Sequence, residues 1–228
     1  MNLGAGICDD GPMSSPAQTV ATDWARLCPH DDAVTGAVLT DLLTRWSEPH
    51  RRYHNLTHLG EVLGVLRHLP RGETAAVRLA AFFHDAVYQP DVGGTANEEA
   101  SAVLVERLAP RCGFARTTVT EAVRLVLLTA GHLPEPGDAN GSALSDADLA
   151  ILAAPPTRYL DYASAVRAEY AHVDGATFAA GRAAVLRDLV SRPFLFATEY
   201  GRQEFEQAAR RNIARELSML TMDQKDEN

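Results

Sequence analysis

Two histidines lie four residues apart in the segment YHNLTHL, at the start of an apolar helical pattern. This spacing places His54 and His58 on one face of a helix, provided that the helix reaches back to His54. Neutral imidazole nitrogens bind divalent metal ions, and imidazole also exchanges protons near neutral pH. The two side chains are candidates for metal binding or acid–base chemistry, although either one alone could be a solvated surface residue.

A histidine and an aspartate are adjacent in AVRLAAFFHDAVY, the most apolar helical segment of the chain. An ionised carboxylate buried there needs a metal ion or a hydrogen-bonded partner, because its charge is costly away from water. A hydrogen bond between His84 and Asp85 would satisfy both groups. Adjacent helical side chains point about 100° apart, however, so the pair converges better on a third body such as a metal ion.

Two aspartates precede an apolar run in SDADLAIL. Asp146 or Asp148 could cap a helix and interact with its dipole, or one of them could supply a carboxylate to a metal site. Together, His58, the His84-Asp85 pair and one of these aspartates offer two neutral nitrogens and two carboxylates. Such a set suits a divalent ion whose remaining positions hold water.

The order of these residues along the chain resembles that of the HD-domain superfamily of metal-dependent phosphohydrolases. More closely, the chain is similar to a bacterial group of predicted HD phosphohydrolases. The similar segments run from about residue 51 to residue 216 and are, in order, YHNLTHL, FFHDAVY, NEEASA, LLTAGH, SDADLAIL, VRAEY and FAAGR. The resemblance implies an HD-domain helical bundle whose metal ligands are His58, His84, Asp85 and Asp148.

The first segment also resembles the YHNxxHxxDV stretch of the cyclic-nucleotide phosphodiesterases, a divergent HD-type family. That resemblance implies that His58 is a metal ligand and that His54 protonates the leaving oxygen. The last ligand of those enzymes lies in an ADL sequence, which selects Asp148 over Asp146. The segment LGE at 59–61 departs from their usual Ala-x-Asp, and the chain is short for their full pocket, so cyclic-nucleotide hydrolysis is not implied.

Six further residues are weaker candidates for substrate binding. His132 lies at a predicted helix end, where it could reach a second ion or a phosphate, or only complement the helix dipole. Glu98 could orient a water or a ligand histidine, and Asn97 could cap the next helix. Arginine side chains can bind a phosphate bidentately. The candidates of this kind are Arg52, Arg167 and Arg182.

Helical periodicity covers almost the whole chain, and no alternating strand pattern bounded by hairpin turns occurs. Pro, Gly and Asn/Asp clusters separate the helical segments. Helices are predicted after Asp31-Asp32, over 59–69, and at 74–88, 97–108, 117–129, 146–152, 157–172, 177–191 and 203–220. The predicted fold class is therefore all-α, with the helix at 74–88 in the centre of the bundle.

The two ends of the chain are polar. Residues 1–18 are predicted to be a disordered tail, residues 19–222 a single HD-type helical domain, and residues 223–228 a frayed end. The three cysteines are odd in number and lie far apart, so neither a disulfide framework nor a thiolate zinc site is predicted. No secretory signal and no apolar run near the ~20 residues of a membrane span is present. These features predict a cytoplasmic protein.

The formal net charge is -9, and Lys and Arg form no stripe along the sequence. A nucleic-acid polymer is therefore not an expected partner, since its binding depends on neutralised phosphates. The expected ligand is a small phosphorylated molecule, with nucleotides included, and an ion would supply the positive charge. The sequence leaves homo-oligomerisation open.

The resemblance implies hydrolysis of a phosphoester by a water activated on one divalent ion, or on two. Asp85 and Asp148 would partly neutralise the ion, while His58 and His84 would fix its geometry. The predicted catalytic residues are His54, as the general acid, and Asp85. Hydrolysis requires no redox change, so Mg, Mn, Fe, Co, Ni or Zn could serve.

Two alternatives remain. Some HD-fold proteins hold a di-iron centre and act as oxygenases, but a second iron needs further histidines, and only His132 obviously offers itself. The other alternative is a metal-stabilised module that binds a nucleotide without turnover. The presence of His54 favours an enzyme, because a binding module does not need a general acid.

Overall fold

The computed structural model describes residues 15–226 of the 228-residue chain. The prediction of an all-α fold is confirmed, since this range contains helices and no strand. The α-helices are α1 Pro16–Leu27, α2 Ala33–Trp46, α3 Leu56–Leu66, α4 Ala75–Phe83, α5 Ala96–Leu108, α6 Arg116–Leu128, α7 Ala139–Leu149, α8 Pro156–Glu169, α9 Gly175–Ser191, α10 Glu199–Glu204 and α11 Glu206–Asp226. Short 3₁₀ turns follow α5 and α7. Within the described range, no helix is both long enough and apolar enough to cross a bilayer.

The first helix begins inside the segment predicted to be a tail. The Ser15 hydroxyl accepts a hydrogen bond from the Gln18 N–H, and the Gln18 side chain accepts one from the Ser15 N–H. This reciprocal cap, with Pro16 at the first helical position, starts the helix there. Residues 15–18, which were predicted to belong to the tail, therefore form the cap and the first turn of α1, and residues 1–14 lie outside the described residues.

The C-terminal part of the chain forms two helices where one was predicted. α10 ends at Glu204, and α11 begins after the single residue Phe205. The backbone of α11 continues to Asp226, into the segment predicted to fray. Residues 227–228 lie outside the described residues.

Two hydrophobic clusters hold the helices together. The first contains the buried apolar side chains of α1 to α7, including the fully buried Trp24 and Trp46. The second joins α8, α9 and α11 to Tyr53, Leu149 and Leu152 from earlier in the chain. Because Leu149 is the last residue of α7 and Leu152 follows it, the two clusters meet near that end.

α4, which was predicted to be the central helix, has the largest buried share of residues. Seven of its nine residues are buried. Its predicted span of 74–88 is wrong at the C-terminal end, because the helix ends at Phe83 and His84 is its C-terminal cap. His84 and Asp85 therefore lie in a turn and not within a helix.

Side chains from α2 and the following loop stop α4 at this point. A longer α-helix would bond the Ala86 N–H to the Phe82 carbonyl, but this N–H donates to Phe83. The Phe82 carbonyl instead accepts the indole N–H of Trp46 at 3.0 Å. The Arg51 guanidinium donates to the carbonyl of Ala86 at 3.3 Å. Tertiary hydrogen bonds thus replace those that would extend the helix.

The helix at the YHNLTHL segment begins later than the His54/His58 spacing suggested. The Asn55 side chain caps α3 by accepting the Thr57 N–H at 2.9 Å. His54 consequently precedes the helix and does not share a helical face with His58.

The helix that carries the two aspartates begins earlier than predicted. The Asp138 carboxylate accepts the Gly141 N–H and caps α7. The predicted helix at 146–152 is therefore wrong at both ends. Asp146 and Asp148 lie in the last turn of α7, so neither acts as an N-terminal cap.

Candidate metal centre

Four side chains from three separate parts of the chain converge on one small volume. His58 comes from α3, His84 and Asp85 from the turn after α4, and Asp148 from the end of α7. His58 Nε2 lies 3.2 Å from His84 Nε2 and 3.1 Å from Asp148 Oδ1. His84 Nε2 lies 3.3 Å from Asp85 Oδ2 and 3.6 Å from Asp148 Oδ1. The donor atoms of His58, His84 and Asp85 lie within 4.8 Å of one another.

The spacing of these donors suits a divalent ion. Nitrogen and oxygen ligands at about 2.1 Å from one ion lie about 3.0–3.5 Å from each other, close to the separations above. His58 and His84 are almost fully buried, and the carboxylates of Asp85 and Asp148 are mostly buried. Two buried carboxylates in so small a volume need a cation. The residues present therefore fit a metal ion.

A hydrogen bond orients His84 for this role. Its Nδ1–H donates to the Ala81 carbonyl at 2.8 Å, so in the neutral ring the lone pair is on Nε2, which faces the other donors. Burial by itself lowers the pKa of His84, but the charges of Asp85 and Asp148 outweigh burial and raise this pKa well above its usual value. The carboxylates thus attract positive charge to the position where an ion would bind.

Aromatic rings surround the two histidines. The Trp46 ring centroid lies 5.3 Å from that of His84 and 6.2 Å from that of His58. The Tyr53 ring lies 4.7 Å from His58. These rings limit the access of water and leave the carboxylate side as the more open one.

The two aspartates of α7 have different surroundings. Asp146 is fully buried, and its carboxylate accepts the N–H groups of Ala197 and Thr198 and the Thr198 hydroxyl at 2.6–2.8 Å. It therefore holds the segment before α10. Side chains two residues apart on a helix point in nearly opposite directions, so Asp148 faces the histidines while Asp146 does not.

His54 lies beside the four candidate ligands and pairs with a buried carboxylate. Its Nδ1–H donates to Glu169 Oε2 at 2.7 Å, and its ring stacks on Tyr88 at 4.2 Å. Burial lowers the pKa of His54, but the Glu169 hydrogen bond and the charge of Asp85 outweigh burial and raise it. The Nδ1 contact leaves Nε2 as the nitrogen that can exchange a proton with a ligand.

Glu169 organises the turn that carries His54. Its Oε1 accepts the consecutive N–H groups of Arg52, Tyr53 and His54 at 2.8–3.0 Å, and its Oε2 also accepts the Tyr88 hydroxyl at 2.9 Å. Burial raises the pKa of this carboxyl, but the bond to His54 and the backbone N–H groups outweigh burial and lower it to about 2.

Glu169 belongs to the VRAEY segment but was not among the predicted site residues. One signal was present. An acidic residue at the C-terminal end of a helix opposes the helix dipole, so its position there requires a compensating partner.

Arg51 joins the His54 turn to the His-Asp turn. Its side chain is fully buried, and NH1 donates to the carbonyls of His54 at 3.1 Å and Asp85 at 2.7 Å. Arg51 was not among the predicted site residues. One guanidinium thus fixes the distance between the candidate general acid and a candidate ligand.

A cavity of about 730 Å³ adjoins the candidate metal centre on its carboxylate side. Asp85, Asp148 and His54 line it. The side chains of residues 15–221 contain four buried polar atoms without a hydrogen-bond partner, and three of these belong to cavity residues: Tyr53 OH, Glu98 Oε2 and His132 Nδ1. Unpaired buried polar atoms are costly, so their concentration here indicates a site built to receive a polar ligand.

The weaker candidates on the cavity wall differ in what they can do. His132 Nε2 lies 3.6 Å from Asp148 Oδ2, and burial lowers the pKa of His132. Burial also raises the pKa of Glu98. The Asn97 amide bonds to both backbone groups of Gln89 at 3.0–3.1 Å and so closes the loop before α5. His132 and Glu98 are available to a ligand, whereas Asn97 already has partners.

The three arginines proposed as phosphate ligands are not free in the site. Arg52 is exposed and does not line the cavity. Arg167 also lies off the cavity, and its guanidinium donates to two backbone carbonyls of the loop after α8. Arg182 lines the cavity but donates to the Glu216 carboxylate and the Tyr162 hydroxyl. These contacts do not support an arginine clamp, and the partners of Arg182 lie 20 and 34 residues away along the chain.

The chain matches no protein-family model, no curated protein and no solved structure. The resemblance to HD phosphohydrolases therefore stays a prediction based on the motifs. The geometry of the described residues is the basis for a functional proposal.

Proposed function

We propose that this protein is a metal-dependent phosphohydrolase that acts on a small phosphoester. The observation that carries the proposal is the convergence of His58, His84, Asp85 and Asp148 at 3.1–3.9 Å beside an open cavity. Two nitrogen and two carboxylate donors leave positions for water and substrate on a divalent ion. When bound, such an ion lowers the pKa of water and polarises a phosphoryl oxygen.

The chain's own residues have separable tasks in this proposal. The two histidines and two aspartates hold the ion. His54 supplies a proton from Nε2 to the departing alkoxide, since Nδ1 is occupied by Glu169. Glu169 keeps the His54 ring in orientation and stabilises its protonated form. The aromatic rings around the ligands keep the ligand histidines away from bulk water.

The proposal is tested by metal analysis followed by turnover. Protein purified without a chelator is expected to hold about one divalent ion per chain, and added chelator should abolish hydrolysis of a phosphoester panel. Restoration by Mg, Mn, Fe, Co, Ni or Zn, each added alone, identifies the ions that support turnover. Protein that binds an ion but hydrolyses no phosphoester would contradict the proposal.

A di-iron oxygenase is the second candidate, because His132 lies 3.6 Å from Asp148. A second iron would need further nitrogen ligands. Among the described side chains, the other histidine on the cavity wall is His54, and Glu169 holds its Nδ1. Hydrolysis fits these contacts better. Two irons per chain and oxygen uptake would favour the oxygenase.

A binding module without turnover is the third candidate. The buried carboxylate of Glu169 favours an enzyme, because it raises the proton affinity of His54 beside the cavity. A ligand-binding module has no use for such a pair. Ligand binding without turnover on any phosphoester would favour the module.

A further inference from the structure

Three exposed apolar side chains lie around the mouth of the cavity, and the exposed carboxylate of Asp188 lies there as well. Val92, Leu133 and Val185 are 45%, 65% and 54% exposed and come from the loop before α5, the loop after α6, and α9. Single exposed apolar side chains are ordinary, but three from separate elements around one opening form a shared surface. The buried part of the wall is also largely apolar and includes Leu149, Leu152 and Leu189.

The polar groups without partners belong to the buried part of the cavity. The Tyr53 ring contacts His58, and His132 faces Asp148. Glu98 lines the same cavity as Asp85, and its buried Oε2 has no hydrogen-bond partner. The cavity therefore has a polar end at the candidate metal centre and three exposed apolar side chains at its mouth.

The cavity wall offers no free cation for a second phosphate. The Arg182 guanidinium pairs with Glu216 at 2.8 Å, and Arg192 pairs with Asp188 at 2.8 Å and also donates to two backbone carbonyls. Among the described side chains, no other Lys or Arg lines the cavity. A chain of phosphates needs several cationic partners, so the wall suits a single phosphoryl group.

From these observations we infer that the ligand of this cavity is a phosphomonoester of an apolar alcohol, and not a nucleoside di- or triphosphate. The phosphoryl group lies at the polar end, and the apolar group extends along the wall towards Leu133 and Val185. The volume of about 730 Å³ is that of a small-molecule site. This inference rests on the proposed function, because that function places the phosphoryl group at the candidate metal centre.

Alkylphosphonates test the ligand class without turnover, because their carbon–phosphorus bond is not a phosphoester. Calorimetry with the metal-containing protein would compare methyl-, butyl- and octylphosphonate, with ADP and ATP as competitors. We expect the affinity to rise about fourfold with each added methylene that the wall buries. Equal affinities across the series, or tighter binding of ATP than of octylphosphonate, would overturn the inference.

Substitutions at the mouth test the placement of the apolar group. Val185→Asp and Leu133→Asp should lower the affinity for octylphosphonate about tenfold more than that for methylphosphonate, since a charge there disfavours the apolar chain. Val103→Asp is the matched control, because Val103 is 58% exposed on α5 and lies off the cavity. An equal loss for both phosphonates, or the same loss in the control, would refute the placement.

Hydrolysis of octyl phosphate separates this inference from the proposed function. If phosphonate binding depends on chain length but no phosphoester is hydrolysed, the inferred ligand class is supported and the proposed hydrolase activity is refuted. If many phosphoesters are hydrolysed but phosphonate binding does not depend on chain length, the proposed hydrolase activity is supported and the inferred ligand class is refuted.

Discussion

His54 and His58 are four residues apart, but their surroundings give them different chemistry. His58 is buried among the candidate ligands, whereas His54 keeps part of its ring accessible and pairs with Glu169. The difference arises because Asn55 starts α3 between them. Each of the two histidines can therefore be tested for one role.

The first prediction separates metal binding from proton transfer. His58→Ala removes a donor and should lower metal content and activity together. His54→Ala should retain the metal and lose ~10²- to 10⁴-fold in rate on a poor leaving group, with a smaller loss on nitrophenyl phosphate, which needs no proton. Metal analysis and kinetics on both leaving groups provide the measurement. Metal loss in His54→Ala, or an equal rate loss on both substrates, would show that His54 is not the acid.

The second prediction concerns Glu169 as a positioning residue. Glu169→Gln removes the charge that stabilises the protonated His54 ring, so the rate on a poor leaving group should fall about tenfold or more while metal content is retained. Nitrophenyl phosphate should be affected less. Glu106→Gln, on the exposed face of α5, is the control. A uniform loss on both substrates, with reduced thermal stability, would indicate a purely structural role.

At the scale of elements, α7 brings both of its aspartates into tertiary contacts, but with different partners. Asp148 faces α3 and the His-Asp turn, while Asp146 binds the backbone before α10. One helix end thus supports the candidate metal centre on one side and the second hydrophobic cluster on the other.

The third prediction follows from this division. Asp146→Asn weakens hydrogen bonds to Ala197 and Thr198, so it should lower the free energy of unfolding by about 1–3 kcal/mol while the folded protein keeps its metal. Asp148→Asn should lose the metal. Urea denaturation and metal analysis of both variants provide the test, and the reverse pattern would show that Asp146 is the ligand.

At the scale of the whole molecule, a buried ion pair connects the last helix to the cavity wall. Arg182 on α9 donates to Glu216 on α11, and the Tyr159 hydroxyl of α8 donates to the same carboxylate. The Arg182 and Glu216 side chains are only 11% and 7% exposed. The pair therefore stabilises the second cluster and also neutralises an arginine that faces the cavity.

The fourth prediction compares this pair with an exposed one. Glu216→Ala leaves the Arg182 charge buried and unpaired, so it should lower the free energy of unfolding by about 3–5 kcal/mol. Arg124→Ala breaks a more exposed pair with Glu121 and Asp138 and should cost about 0–1 kcal/mol. Urea denaturation measures both, and equal losses would contradict the assignment of Arg182 and Glu216 as a buried pair.

Local patterns in the sequence predicted the all-α fold class and the most buried helix correctly. The 3.6-residue apolar period and the Pro, Gly and Asn/Asp punctuation depend only on neighbours along the chain. The residue types of the candidate metal centre could also be chosen from the sequence, because buried histidine and carboxylate groups require a partner wherever they occur, although the choice of Asp148 over Asp146 came from the resemblance. The helix ends were less accurate, since Arg51 and Trp46 terminate α4 through contacts distant in sequence.

Only the tertiary structure decided which partner each of these groups has. Glu169 pairs with His54 across 115 residues, and Asp146 bonds to Thr198 across 52. Arg182 lines the cavity as predicted for a ligand residue, but Glu216 binds its charge. The sequence by itself determined the inventory of chemical groups and the helices that carry them. The packing of those helices determined which charges remain free, because hydrogen bonds and ion pairs depend on distance in space and not on separation along the chain.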